Sequence, residues 1–163
     1  MKTSLIFIML LFTAQAWSQQ LAEQARIKDI LEGHTRACMD KDAERAISYF
    51  ANSPYLAISY QEPGSGYIRG YEQVCETYRR VLSAGKQEKD VRKLYTSEYQ
   101  FKINGQYAWV TFAELLVPDN GGESEKVFKA CYLEKIDHVW KIIGNYWMAE
   151  MKVSGAALVT DQY

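Results

Sequence analysis

The chain has 163 residues, 48% of them hydrophobic and 24% charged, with 19 basic residues against 20 acidic ones and a formal charge of −1. That length sets an expectation of one domain, and a charge so near neutral excludes the basic field that nucleic-acid binding needs. The charges are interspersed rather than gathered in blocks, which argues equally against a polybasic membrane patch.

Residues 1–18 read as a secretory signal peptide. Lys2 supplies the positive start, the apolar run at 5–12 is roughly half as long as a membrane span, and Ala16 and Ser18 offer small residues where a signal peptidase reads. Cleavage after Ser18 removes Lys2, leaving 18 of the 19 basic residues against all 20 acidic ones, a formal charge of −2. The expectation is an exported protein, periplasmic or secreted, with no membrane attachment after cleavage. Three cysteines follow, Cys38, Cys75 and Cys131. An odd count leaves at least one free thiol, and no paired spacing suggests zinc. Three buried thiols are expected, with a Cys38–Cys75 bridge as the alternative, and neither metal nor cofactor is called for.

From 21 to 39 the residues Ile27, Ile30, Leu31 and Cys38 recur at helical spacing with His34 on the same face. Asp42 is placed to N-cap a second helix over 43–50. The run 55–60 is rich in β-formers, and 62–66 reads as a turn. Gly70 precedes a third helix over 71–84, with Val74, Cys75, Tyr78, Val81 and Leu82 on one side. The period then changes to two. Tyr95, Ser97, Tyr99, Phe101 and Ile103 alternate onto one face of a strand that ends in an Asn104-Gly105 hairpin turn. Strand 107–117 is apolar on both faces, as a central strand would be. A loop at 118–124, strand 127–136, a turn at Asp137-His138 and strand 139–151 complete the sheet. Residues 152–163 form a weakly patterned tail. Helices first and a long meander afterwards make an α+β layout, a curved antiparallel sheet packed against three N-terminal helices.

Several stretches carry a resemblance. Lys41-Asp42 closes the first helix, Gly70 opens the third, and residues 103–110 (INGQYAWV) form the hairpin. Residues 133–135 (LEK) are then followed by 140–143 (WKII). In this order and spacing they resemble the nuclear transport factor 2-like superfamily in its SnoaL-like branch, over about residues 21–151 and so within a domain at 19–151. The resemblance implies a cone-shaped α+β fold, a homodimer paired through the sheet, and a pocket between helices and sheet. Family members include ketosteroid isomerase, scytalone dehydratase, epoxide hydrolases and non-catalytic binding modules, so fold does not decide function. The isomerase's acids would fall near Ile58 or Ser59 and near Ala130, where this chain has none. Gly144, Asn145 and Tyr146 stand where many SnoaL-like chains carry a histidine.

If Trp140 points into the cone, as the resemblance implies, Ile142, Gly144, Tyr146 and Met148 share its face. Phe128, Ala130, Tyr132, Glu134 and Ile136 are then expected on the matching face of the neighbouring strand. Ala108, Val110, Phe112, Glu114 and Leu116 make up that of the strand before. Phe112, Tyr132, Tyr146, Trp140 and Tyr60 are accordingly expected to line a pocket for a small hydrophobic or aromatic molecule. Glu114, amid apolar neighbours, is the candidate acid or base, since desolvation there would raise its pKa. A structural salt bridge is the competing role. His34 is the second candidate, able to shuttle protons near neutral pH if it faces the pocket mouth rather than the core. An exported small-molecule-binding domain, a lyase, isomerase or hydrolase using Glu114 or His34, and a dimeric interaction module all stay open.

Overall fold

Helix α1 (Lys2–Met39) buries the stripe Ile27, Leu31, His34 and Thr35 that its spacing dictates, each at most 8% exposed. The computed structural model describes residues 2–59, 66–83, 92–119 and 122–153, with side chains from residue 17 onward. Among them no helix is long and apolar enough to cross a membrane. The helix ends in a left-handed cap. Lys41 has φ 59°, its N–H bonds the Cys38 carbonyl at 3.1 Å, and the Asp42 N–H bonds the Ala37 carbonyl at 2.9 Å. Asp42 at once N-caps α2 (Ala43–Ser48), accepting from the Arg45 N–H at 3.0 Å. The second helix is therefore shorter than expected. Phe50 has already left it to bridge Ile142 on the sheet.

Strand β1 (Ala57–Ser59) pairs antiparallel with a strand the sequence did not betray, β2 (Tyr67–Arg69), and parallel with β6 (Val139–Val153). Helix α3 (Tyr71–Ser83) follows Gly70, whose φ of 83° suits glycine, and buries Val74, Cys75 and Thr77. Strands β3 (Lys93–Asn104), β4 (Tyr107–Val117) and β5 (Ser124–Ile136) complete a sheet ordered β2-β1-β6-β5-β4-β3. The sheet is thus mixed rather than wholly antiparallel. The hairpin turn is Gly105-Gln106, one residue later than expected, because Asn104 still pairs with Tyr107. Gly105, at φ 59°, takes the first central position, where a type II′ turn asks for glycine.

Bulges decide which side chains face inward. The β3–β4 register shifts between Ser97 and Gln100, with Glu98 at φ 55°. Beyond that bulge Tyr99, Phe101 and Ile103 pack on the core, but before it Tyr95 turns out, 53% exposed, and Ser97 is exposed with it. The expected single face from Tyr95 to Ile103 is broken there. The β5–β6 register shifts twice, between Tyr132 and Leu133 and between Phe128 and Lys129. Each extra residue moves the side chains beyond it to the other face. The core gathers Ile27, Leu31, Phe50, Leu56, Ile58 and Val74 against the inner sheet residues Val110, Phe112, Cys131, Leu133, Trp140 and Ile142.

Candidate functional site

Two cavities stand out among the described residues. One, of about 700 Å³, is a charged groove where α1 meets α2, walled by Asp40, Asp42, Glu44, Arg45 and Arg79. The other, of about 510 Å³, lies inside the cone between α1, α3 and the inner face of β4, β5 and β6. That volume is in the range of small-molecule sites. The second cavity also holds the buried ionisable groups.

Strand β4 builds its floor. Ala108, Val110, Phe112, Glu114 and Leu116 all point inward and are buried, Glu114 being 1% exposed. Glu114 pairs across the ladder with Val127 and Phe112 with Lys129, so the inner face of β5 is Glu125, Val127, Lys129, Cys131 and Leu133. This reverses the face expected for β5. Tyr132 lies on the convex side, opposite Trp109 and stacked on Tyr107 with ring centroids 6.0 Å apart. On β6, Trp140 and Ile142 point inward as expected, but the bulge at Ile143 then brings Asn145 and Trp147 to the cavity instead of Gly144 and Tyr146. The Tyr146 ring packs on exposed Tyr67, outside the cone. Tyr132 and Tyr146 therefore do not line the cavity.

Phe112 is in the core, stacked on Tyr99 at 5.2 Å, one layer away from the cavity. Trp140 is inward but lies toward the middle of α1, where its indole N–H donates to Glu23 at 2.5 Å and Lys135 sits 4.8 Å over its ring. Tyr60 lies outside the described residues. Of the sequence candidates, Glu114 and His34 are brought together in the one cavity.

Glu114 does not stand alone there. Lys129 Nζ lies 2.5 Å from its Oε2, and the Thr35 hydroxyl donates to its Oε1 at 2.5 Å. Lys129 is itself 7% exposed, with its ammonium 5.3 Å from the centre of the Trp147 ring. His34 bonds the Tyr78 hydroxyl at 3.1 Å and meets the Cys38 sulfur at 3.8 Å, with Phe50 and Tyr49 edge-on to its ring. Burial, reinforced by the positive Lys129, pushes the imidazole down to about 3, so it is neutral near pH 7. Burial pushes the Cys38 and Cys131 thiols up to about 12, which removes them as nucleophiles. All three cysteines are free. At the rim Arg92 pairs with Glu125 at 2.6 Å. Among the described residues no group of three or more His, Cys, Asp or Glu side chains could hold a metal.

Sequence reasoning missed Lys129, Asn145, Trp147 and Thr35. One signal was present: Lys129 stands between Phe128 and Ala130, opposite a strand whose one charged residue is Glu114. The bulges that carry Asn145 and Trp147 inward leave no comparable mark.

No protein-family model matches the chain, and no curated protein does. Solved structures do match it. A nuclear transport factor 2-like protein of unknown function from Pseudomonas putida superposes with a TM-score of 0.63 at 13% identity, covering 79% of this chain and 87% of that one. A protein with a cystatin-like fold from Nostoc punctiforme gives 0.60 at 15% identity, over 76% and 88%. A candidate scytalone dehydratase from Novosphingobium aromaticivorans gives 0.58 at 12% identity, over 83% and 91%. Likeness at such identities establishes the fold and nothing finer. The chain has the nuclear transport factor 2-like fold, the cystatin-like α+β cone.

Proposed function

We propose that this is a small-molecule-binding domain of the SnoaL-like kind, exported and dimeric, whose ligand occupies the cavity inside the cone. One observation carries the reading: a cavity of about 510 Å³ joins an apolar wall to a few convergent polar groups, Lys129, Asn145, Ser59 and the His34–Tyr78 pair. Such a wall suits a ring-bearing molecule, and the polar groups would fix its orientation. Binding is preferred to catalysis because both acid/base candidates are already engaged. Glu114 is held by Lys129 and Thr35, and His34 is a weak base bonded to Tyr78.

The second reading is a lyase using Glu114 or His34, favoured by fold neighbours described as candidate dehydratases. One experiment addresses the shared premise. The chain from Gln19 onward is screened against neutral aromatic fragments by thermal shift and calorimetry, beside a Leu82→Trp variant that fills the cavity from α3. Stabilising hits that Leu82→Trp abolishes, in a variant that still folds, are expected. Hits that bind both proteins equally would move the site elsewhere.

A further inference from the structure

Along β5 and β6 the cavity has hydrogen-bond donors left to give. Asn145 is 7% exposed and lines the cavity. Its Oδ1 accepts from the Cys131 thiol at 3.4 Å, while its amide nitrogen has no partner among the described residues. That nitrogen is not sealed away with the buried orphans Tyr99 and Ser124, so it opens on the cavity. Lys129 offers three N–H donors and uses one on Glu114. Ser59 accepts the Trp147 N–H at 2.7 Å through its oxygen, which leaves its own hydrogen to give. Lys129 pairs with Trp147 and Cys131 with Asn145 in the β5–β6 ladder, so the two nitrogen donors sit one step apart on one concave face. The Trp147 ring lies beside them.

Resting on the cavity being a ligand site, we infer that Lys129 and Asn145 form a donor subsite for an uncharged carbonyl oxygen on a ring-bearing ligand that packs against Trp147. Two neighbouring donors select an oxygen acceptor, and a buried donor left unpaired penalises any ligand lacking one. The cavity's other cations, Lys41 and Arg92, belong to other parts of its lining, and at the Lys129 end the charge is balanced against an anion. Glu114 already neutralises Lys129, so a carboxylate entering here meets a negative group 2.5 Å behind the positive one and gains little net attraction. A ketone or enone keeps the hydrogen bonds without that opposition.

The test uses four probes of one skeleton, 1-indanone, 1-indanol, indane and indane-1-carboxylate, titrated by calorimetry into the chain from Gln19 onward. Indanone is expected to bind about tenfold or more tighter than indane, and tighter than the carboxylate. Asn145→Leu, and Lys129→Met combined with Glu114→Gln so that no buried charge is orphaned, should each erase the indanone preference. Indane, which makes neither hydrogen bond, should bind both variants at least as tightly as the parent. Equal affinity for indanone and indane overturns the subsite while leaving the cavity reading standing. Tighter binding of the carboxylate overturns the choice of an uncharged ligand. Binding of no probe overturns the cavity reading and this inference with it.

Discussion

Lys129 and Glu114 are 7% and 1% exposed and pair with each other inside the cone, Glu114 also accepting from Thr35 and Lys129 lying over Trp147. Breaking such a pair from one side leaves a charge stranded in a medium that solvates it poorly. Lys129→Met alone should therefore cost about 3–5 kcal/mol of stability, while Lys129→Met with Glu114→Gln should recover most of it. Urea unfolding of both variants checks this, and a single variant within about 1 kcal/mol of the parent would show that water reaches the pair. His34 makes a separate prediction. Its folded value near 3 lies below the ordinary 6.5, so between those pH values the unfolded chain binds the extra proton. The stability that goes with a neutral His34 is complete above pH 6.5 and is lost as the pH falls toward 3. The slope is about 1.4 kcal/mol per pH unit, or about 2 kcal/mol between pH 6.5 and 5. His34→Gln should flatten that slope in urea unfolding at pH 7, 6 and 5. An unchanged slope would show that other groups set it.

At the scale of elements, period and capping were legible and parity was not. The stripe through Ile27, Leu31 and His34, the Asp42 cap, the Asp137-His138 turn and the inward face of β4 all follow from spacing and local chemistry. Strand β2 did not show, being three residues long between two punctuating glycines, Gly66 and Gly70. The outward turn of Tyr132 and Tyr146 did not show either, because both faces of β5 and β6 carry apolar residues. Alternation then fits either parity; the unbroken register with β4 decides it for Tyr132, and the bulge at Ile143 decides it for Tyr146. At the Gly105 turn, Gly105→Ala meets open space but must hold φ 59°, so it should cost about 1 kcal/mol through strain alone. Thermal unfolding reads this directly, and a neutral result would show that the turn relaxes to another type.

For the molecule as a whole, the cone has two faces with different prospects. Inside are the cavity and its paired charges. Outside, Tyr107 and Trp109 stand 46% and 42% exposed beside Tyr132. We propose that this convex face buries itself against a second copy, since so aromatic a sheet surface is costly in water. Sedimentation at micromolar concentration should report a dimer that Trp109→Lys weakens, and a monomer at every concentration would contradict it. Export rests on the Lys2 start and the Ala16/Ser18 site. Intact mass from the native host should match a chain beginning at Gln19, and a mass retaining Lys2 would refute cleavage.

A ligand inside the cone can be told from one outside it, because the two faces carry different reporters. Trp147 lines the cavity, whereas Trp109 lies on the convex face. In a nitrogen–proton correlation spectrum of the labelled chain, indole signals assigned through Trp147→Phe and Trp109→Phe can be followed as indanone is added. Binding inside the cone should give a saturable shift of the Trp147 indole with Trp109 unmoved. A saturable shift of Trp109 with Trp147 unmoved would contradict it and place binding on the outer sheet.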